Sequence, residues 1–191
     1  FFKSLDSLVK RLETIGIPEK SISDFCTSLF NGLNSQVYNA PIDLFIEDFL
    51  YKEFPELRAY QFLSLFTILQ EGLQAVTDKK IIDLYPKHIV SKSKVYNLVS
   101  AFQFKELYGI DFIGKFNSSP SELRQAKDFY EEFLEYKVDK EPGEEYELIL
   151  NWAKDLGLSE NFELVLETEF RNKPTPIDAF LSELGIESVE R

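Results

Sequence analysis

Asp43 and Glu47 stand four positions apart, one above the other on a helix, at the edge of an apolar stripe. Partial burial there would raise both carboxyls, as acid–base chemistry often requires, although acids at a helix boundary more ordinarily cap or pair, here with Arg58 or a lysine. Other reactive types are sparse. His88 is the sole histidine and lies in Tyr85-Pro86-Lys87-His88, which reads as an inter-helix loop with no orienting partner nearby. Ser91 and Lys94 have the Ser-x-x-Lys spacing of serine acyl enzymes, but the companion Ser-Asp-Asn and Lys-Thr-Gly motifs are missing, and Ser91 reads better as a helix cap. Cys26 falls among Ile22, Phe25 and Leu29 at helical spacing, the place of a small core residue. There is no Gly-rich phosphate loop or dinucleotide fingerprint, and no paired cysteines suggest structural zinc. No catalytic residue is assigned.

The elements that must position these groups are helical. Asn39–Gln70 is the most apolar stretch and reads as two helices, 41–53 and 56–76, joined around Pro55. Pro41 and Asp43 suit a first turn. Ile42, Phe45, Ile46, Phe49 and Leu50 then form one stripe, with Leu44 opposite. The second helix carries no charge from Ala59 to Gln70 and is apolar over a wide arc, so it is expected to be the buried central rod of the fold. Further helices are expected over 2–15, 19–33, 78–84, 91–107, 119–137, 143–156, 159–169 and 176–184, with 110–116 left ambiguous between strand, helical turn and loop. Ser119-Pro120-Ser121-Glu122 is a capping box with proline at the first position. Gly16, Gly109, Gly157 and Gly185 each precede an apolar residue, the signature of a left-handed helix stop. The expectation is an all-α domain of about nine helices over 1–186, with a subdivision near 109–118 as an option and a frayed tail over 187–191.

Asn39-Ala40-Pro41-Ile42-Asp43-Leu44-Phe45-Ile46-Glu47-Asp48 resembles the helix that supplies the third metal ligand in zinc metallopeptidases of the His-Glu-x-x-His type. The resemblance covers ten of 191 residues and implies that Glu47 or Asp43 is that ligand. The His-Glu-x-x-His motif itself is absent. The chain would then be the helical portion of a zinc-dependent hydrolase whose main metal motif lies outside it.

Charge sorts the partners. Net charge is −12, unevenly placed: residues 1–100 hold 11 Lys and Arg against 12 Asp and Glu, whereas 101–191 hold 10 against 21. Such acidity disfavours nucleic acid and anionic membrane, which are gripped by Lys and Arg. Lys79, Lys80, Lys87, Lys92 and Lys94 form a local basic patch without arginine or an aromatic platform. One cysteine and no signal peptide place the chain in the cytoplasm. It begins at Phe1 and has no methionine, so it is expected to belong to a longer protein. The leading expectation is a non-enzymatic helical module, without cofactor, that binds another protein or another part of its own polypeptide. Tyr136, Trp152 and Phe170 beside the acidic face are its candidate contacts, with the core as the equal alternative for each.

Overall fold

The computed structural model describes residues 5–138, 141, 143–161, 164–165 and 168–169. Two compact units emerge, Phe1–Leu158 and Ser159–Arg191. In the second, Ser159 opens only the single turn Ser159–Asn161, and Leu164 and Val165 are not helical, so the expected helix over 159–169 does not form as one piece. The helix expected over 176–184, the stop at Gly185, the tail over 187–191 and Phe170 lie outside the described residues.

Among the described residues the first unit is all-α, with no strand and seven helices rather than nine. These are α1 (Asp6–Thr14), α2 (Glu19–Glu53), α3 (Arg58–Thr77), α4 (Lys79–Leu84), α5 (Lys87–Tyr108), α6 (Pro120–Tyr136) and α7 (Glu144–Asp155). The ambiguous stretch after α5 makes a short 3-10 turn, Ile113–Phe116, that buries Phe112 and Phe116.

The helices expected over 19–33 and 41–53 are one continuous helix, α2, with Pro41 inside it. Pro41 is no helix start. A proline in a helix interior removes one backbone hydrogen bond and costs about 3 kcal/mol in isolation. Here Pro41 is buried on the face of α2 that also buries Leu33, Val37, Leu44 and Asp48, and α2 packs against both α5 and α7. That packing offsets the lost bond. The stripe expected to be inward is the wetter one: Ile46 is 47% and Phe49 56% exposed, whereas Leu44 is 2% exposed.

The central rod is also reassigned. Only Gln61, Leu69 and Val76 of α3 are buried, and Tyr60, Leu63 and Ile68 are exposed, so the pair 41–53 and 56–76 is not the buried centre. The inner face of α3 puts Phe62 and Phe66 against Phe104, with Tyr108 and Phe112 completing an aromatic cluster. The centre is α5, which packs against α2, α3 and α6 and buries Val95, Tyr96, Leu98, Val99, Ala101 and Phe104 around its circumference. Residues 95–104 carry no charge either, a ten-residue run that matches the burial better than the longer one in α3.

The α6 capping box and the stops at Gly16, Gly109 and Gly157 act as expected. Ser119 Oγ accepts from Glu122 N–H while the Glu122 carboxylate accepts from Ser119 N–H, a complete capping box for α6. Gly16, Gly109 and Gly157 are all left-handed. After Gly157, Leu158 N–H returns to the Ala153 carbonyl at 2.7 Å and the Leu158 side chain is buried, the full Schellman arrangement. No helix of the described residues is long and apolar enough to cross a membrane.

Candidate binding groove

α2 and α3 form two walls over a floor made by α5, and the space between them holds two adjoining cavities of about 520 and 360 Å³. Gln36, Ile68 and Asn97 border both, so they are one groove. Its floor runs from Ile89 to Phe104, which at 1.5 Å per residue is about 22 Å. Gly32 leaves one wall open, since a Cβ there would meet nothing within 4 Å, whereas Gly72 lets α3 close on α5: a Cβ on Gly72 would fall 2.0 Å from Asn97 Oδ1. Asn97 in turn donates to the Ser93 carbonyl at 2.8 Å.

The two ends differ. One is mainly apolar, bordered by Leu29, Leu33, Val76, Ile81 and Ile89, with Glu71 as its one acid among the described residues. The other is bordered by Asn39, Asp43, Glu47, Ser100 and Gln103. Gln103 Nε2 donates to the Leu44 carbonyl at 2.7 Å and fixes that end of α2 to the floor. Gln61 Nε2 donates to Glu47 Oε2 at 2.5 Å and to the Glu47 carbonyl at 2.8 Å, and Tyr108 donates to Gln61 Oε1 at 3.0 Å. Burial pushes the Glu47 carboxyl above the usual range, Gln61 pulls it back in part, and Asp43 adds to the rise. Asp43 lies at the rim, open to water on one side, and partial burial on the other raises its carboxyl too. Burial likewise pushes the Tyr108 phenol up to about 12, with Glu47 and Tyr51 contributing. Tyr96 also borders this end, and its hydroxyl is buried without a hydrogen-bond partner among the described residues.

Neither acid meets the cation expected for it. Arg58 donates to the Tyr51 carbonyl and sits over the Tyr51 ring at 4.4 Å. Among the described residues Asp43 makes no hydrogen bond or ion pair, and Glu47 makes no ion pair. Asp48, on the same helix, is bound by both Lys52 at 2.6 Å and Lys137 at 3.3 Å.

No family model, curated protein or solved structure matches the chain. The groove is therefore read from its own chemistry.

The remaining candidate residues are placed as follows. His88 lies in the first turn of α5, not in a loop, and burial followed by the nearby Lys92 lowers its pKa. Ser91 is inside α5, whose N-cap is Pro86, so it caps no helix; it donates to Glu122 Oε1 at 2.7 Å. Lys94 lies 4.0 Å from the same carboxylate, so the Ser-x-x-Lys pair is spent on the start of α6. Cys26 is buried and its thiol is pushed up, the reverse of an activated thiolate. Trp152 is corrected as a surface contact: it is 0% exposed, stacked on Phe129 at 4.7 Å, and its indole donates to Glu132 at 2.9 Å. Tyr136 is half-buried and reaches Glu147 at 3.4 Å.

A catalytic zinc takes three protein ligands. Asp43 and Glu47 offer two, and no group of three or more His, Cys, Asp or Glu is placed to hold a metal among the described residues. The donor set in this chain does not by itself fit the metal.

Residues that sequence reasoning missed include Tyr96, Asn97 and Gly72, which shape the floor and one wall. Their only legible signal was the uncharged run 95–104, since the Gly72–Asn97 approach joins two helices.

Proposed function

We propose that this chain is a helical binding module that engages another protein or another segment of its own polypeptide, without catalysis of its own. The observation that carries this reading is the outer face of α3. Tyr60 and Leu63 are 73% and 61% exposed on a helix with no charge from Ala59 to Gln70. Single exposed apolar residues are ordinary, but two large ones at i and i+3 on an uncharged helix face have the composition of a contact surface.

A photo-crosslinking amino acid placed at Leu63 of the full chain, in its native cell, tests this. A discrete adduct is expected at Leu63, absent from the same probe at Lys127, which lies among exposed charged residues of α6. The adduct should disappear when Tyr60→Glu and Thr67→Glu are added, both at exposed positions of the same face. Equal labelling at both positions, or none at Leu63, overturns the reading.

A second reading is the helical portion of a zinc-dependent hydrolase. It is favoured by one observation, the placement of Asp43 and Glu47 together on a cleft wall. It requires the other ligands to come from outside this chain. Equilibrium dialysis against zinc, with Asp43→Asn and Glu47→Gln as controls, and the full-length coding sequence decide it together: stoichiometric uptake lost in both variants supports it, and no uptake with no His-Glu-x-x-His motif upstream leaves the binding module.

A further inference from the structure

We propose that the groove between α2, α3 and α5 receives an amphipathic helix of a partner protein, with apolar side chains at the end near Leu29, Val76 and Ile89 and a lysine or arginine at the end near Asp43 and Glu47. This rests on the binding-module reading and names the partner's chemistry. The groove length of about 22 Å corresponds to about 15 helical residues. A helix laid in a groove anchors through residues at i, i+3, i+4 and i+7, and such a row spans the apolar end here. The open space beside Gly32 gives that helix room.

The charge at the other end selects the occupant. Asp48 on α2 is neutralised from within the chain by two lysines, whereas Asp43 and Glu47 find no cation among the described residues. A basic side chain entering there would complete the pair of carboxylates, and Gln103, Ser100 and Asn39 border the same end. A second copy docking through the outer face of α3 fits less well, because α3 carries no basic residue from Ala59 to Gln70.

The test pans a library of random 16-residue peptides on the full chain and measures the enriched peptides by fluorescence anisotropy. The expected winners carry apolar residues at helical spacing and a lysine or arginine toward one end. Binding should weaken by about tenfold or more on the Asp43→Asn, Glu47→Gln double variant and when the peptide's basic residue is changed to glutamate. It should be lost on Gly32→Leu, which fills the groove, with circular dichroism confirming that each variant is folded. Failure to enrich any peptide, or peptides indifferent to Gly32→Leu, overturns the groove. Peptides that lose binding to Gly32→Leu but not to the carboxylate variants overturn the basic residue. Dimerisation of the chain that Gly32→Leu abolishes makes a second copy the occupant and overturns the partner helix. Crosslinking at Leu63 is read separately, so the groove can fail while the binding-module reading stands.

Discussion

Lys137, just past the end of α6, reaches back 89 positions to Asp48 on α2 and sits 3.3 Å from its carboxylate. The same ammonium lies 3.1 Å from Glu106 of α5 and 5.4 Å from the centre of the Phe133 ring, and Glu106 accepts from Tyr130. One lysine thus joins α2, α5 and α6. Its side chain is 17% exposed and that of Asp48 13%, so water screens the contact weakly. Lys137→Met should destabilise the fold by about 1–3 kcal/mol, because Asp48 loses one of its two cations in a largely dry site. Lys52→Met removes a partner that is 57% exposed and should cost less than about 1 kcal/mol. Urea denaturation of the two variants checks the order; a reversed order would show that Lys52 neutralises Asp48.

Glu122 collects three groups from two helices in one carboxylate: the cap of α6, and Ser91 and the Lys94 ammonium of α5. Desolvation pushes its carboxyl up, but the bonds from Ser91 and Ser119 and the charge of Lys94 outweigh it and leave it below its ordinary value. Ser119→Ala should cost about 1 kcal/mol as a lost cap. Ser91→Ala should show coupling to it in a double-mutant cycle, since both hydroxyls serve the same group. Additive effects would mean that Ser91 and the cap act independently.

Asp43 and Glu47 predict a pH dependence of the opposite sign. Both carboxyls are raised in the folded state, so their ionisation opposes folding. The stability they allow is complete below their unfolded values and is lost as pH rises through the raised folded ones. The Asp43→Asn, Glu47→Gln variant cannot ionise there. It should melt higher than the wild type at about pH 7, and the gap should close as pH falls toward about 4. Thermal melts across that range check it. A gap that widens on acidification would mean that the carboxylates are stabilised by cations in solution.

Two glycines of the groove walls should answer the same substitution differently. Gly32→Ala in the interior of α2 meets no neighbour and should stabilise by about 1 kcal/mol through helix propensity. Gly72→Ala has the same propensity gain, but its Cβ would displace Asn97, which lies 2.0 Å away and bonds the Ser93 carbonyl. Its midpoint in urea should stay below that of Gly32→Ala. Equal midpoints would show that Asn97 moves freely.

What could be read without coordinates has the range of one helical turn. The all-α class follows from apolar spacing. The α6 start follows from Ser119 and Glu122, and the stops follow from Gly16, Gly109 and Gly157, because each signal and the backbone groups it satisfies lie within a few residues. What only tertiary structure decided concerns neighbours remote in the chain. Pro41 suggested a helix start and became an interior residue because α5 and α7 pack against α2. The uncharged run of α3 suggested a buried rod and stayed half wet because α5, with its own uncharged run at 95–104, took the centre. Asp43 and Glu47 were legible as an acid pair, but whether a cation would meet them depended on where Arg58 and the lysines came to rest. Apolar spacing states which face can be buried; the packing of distant helices decides which face is, and which is left exposed.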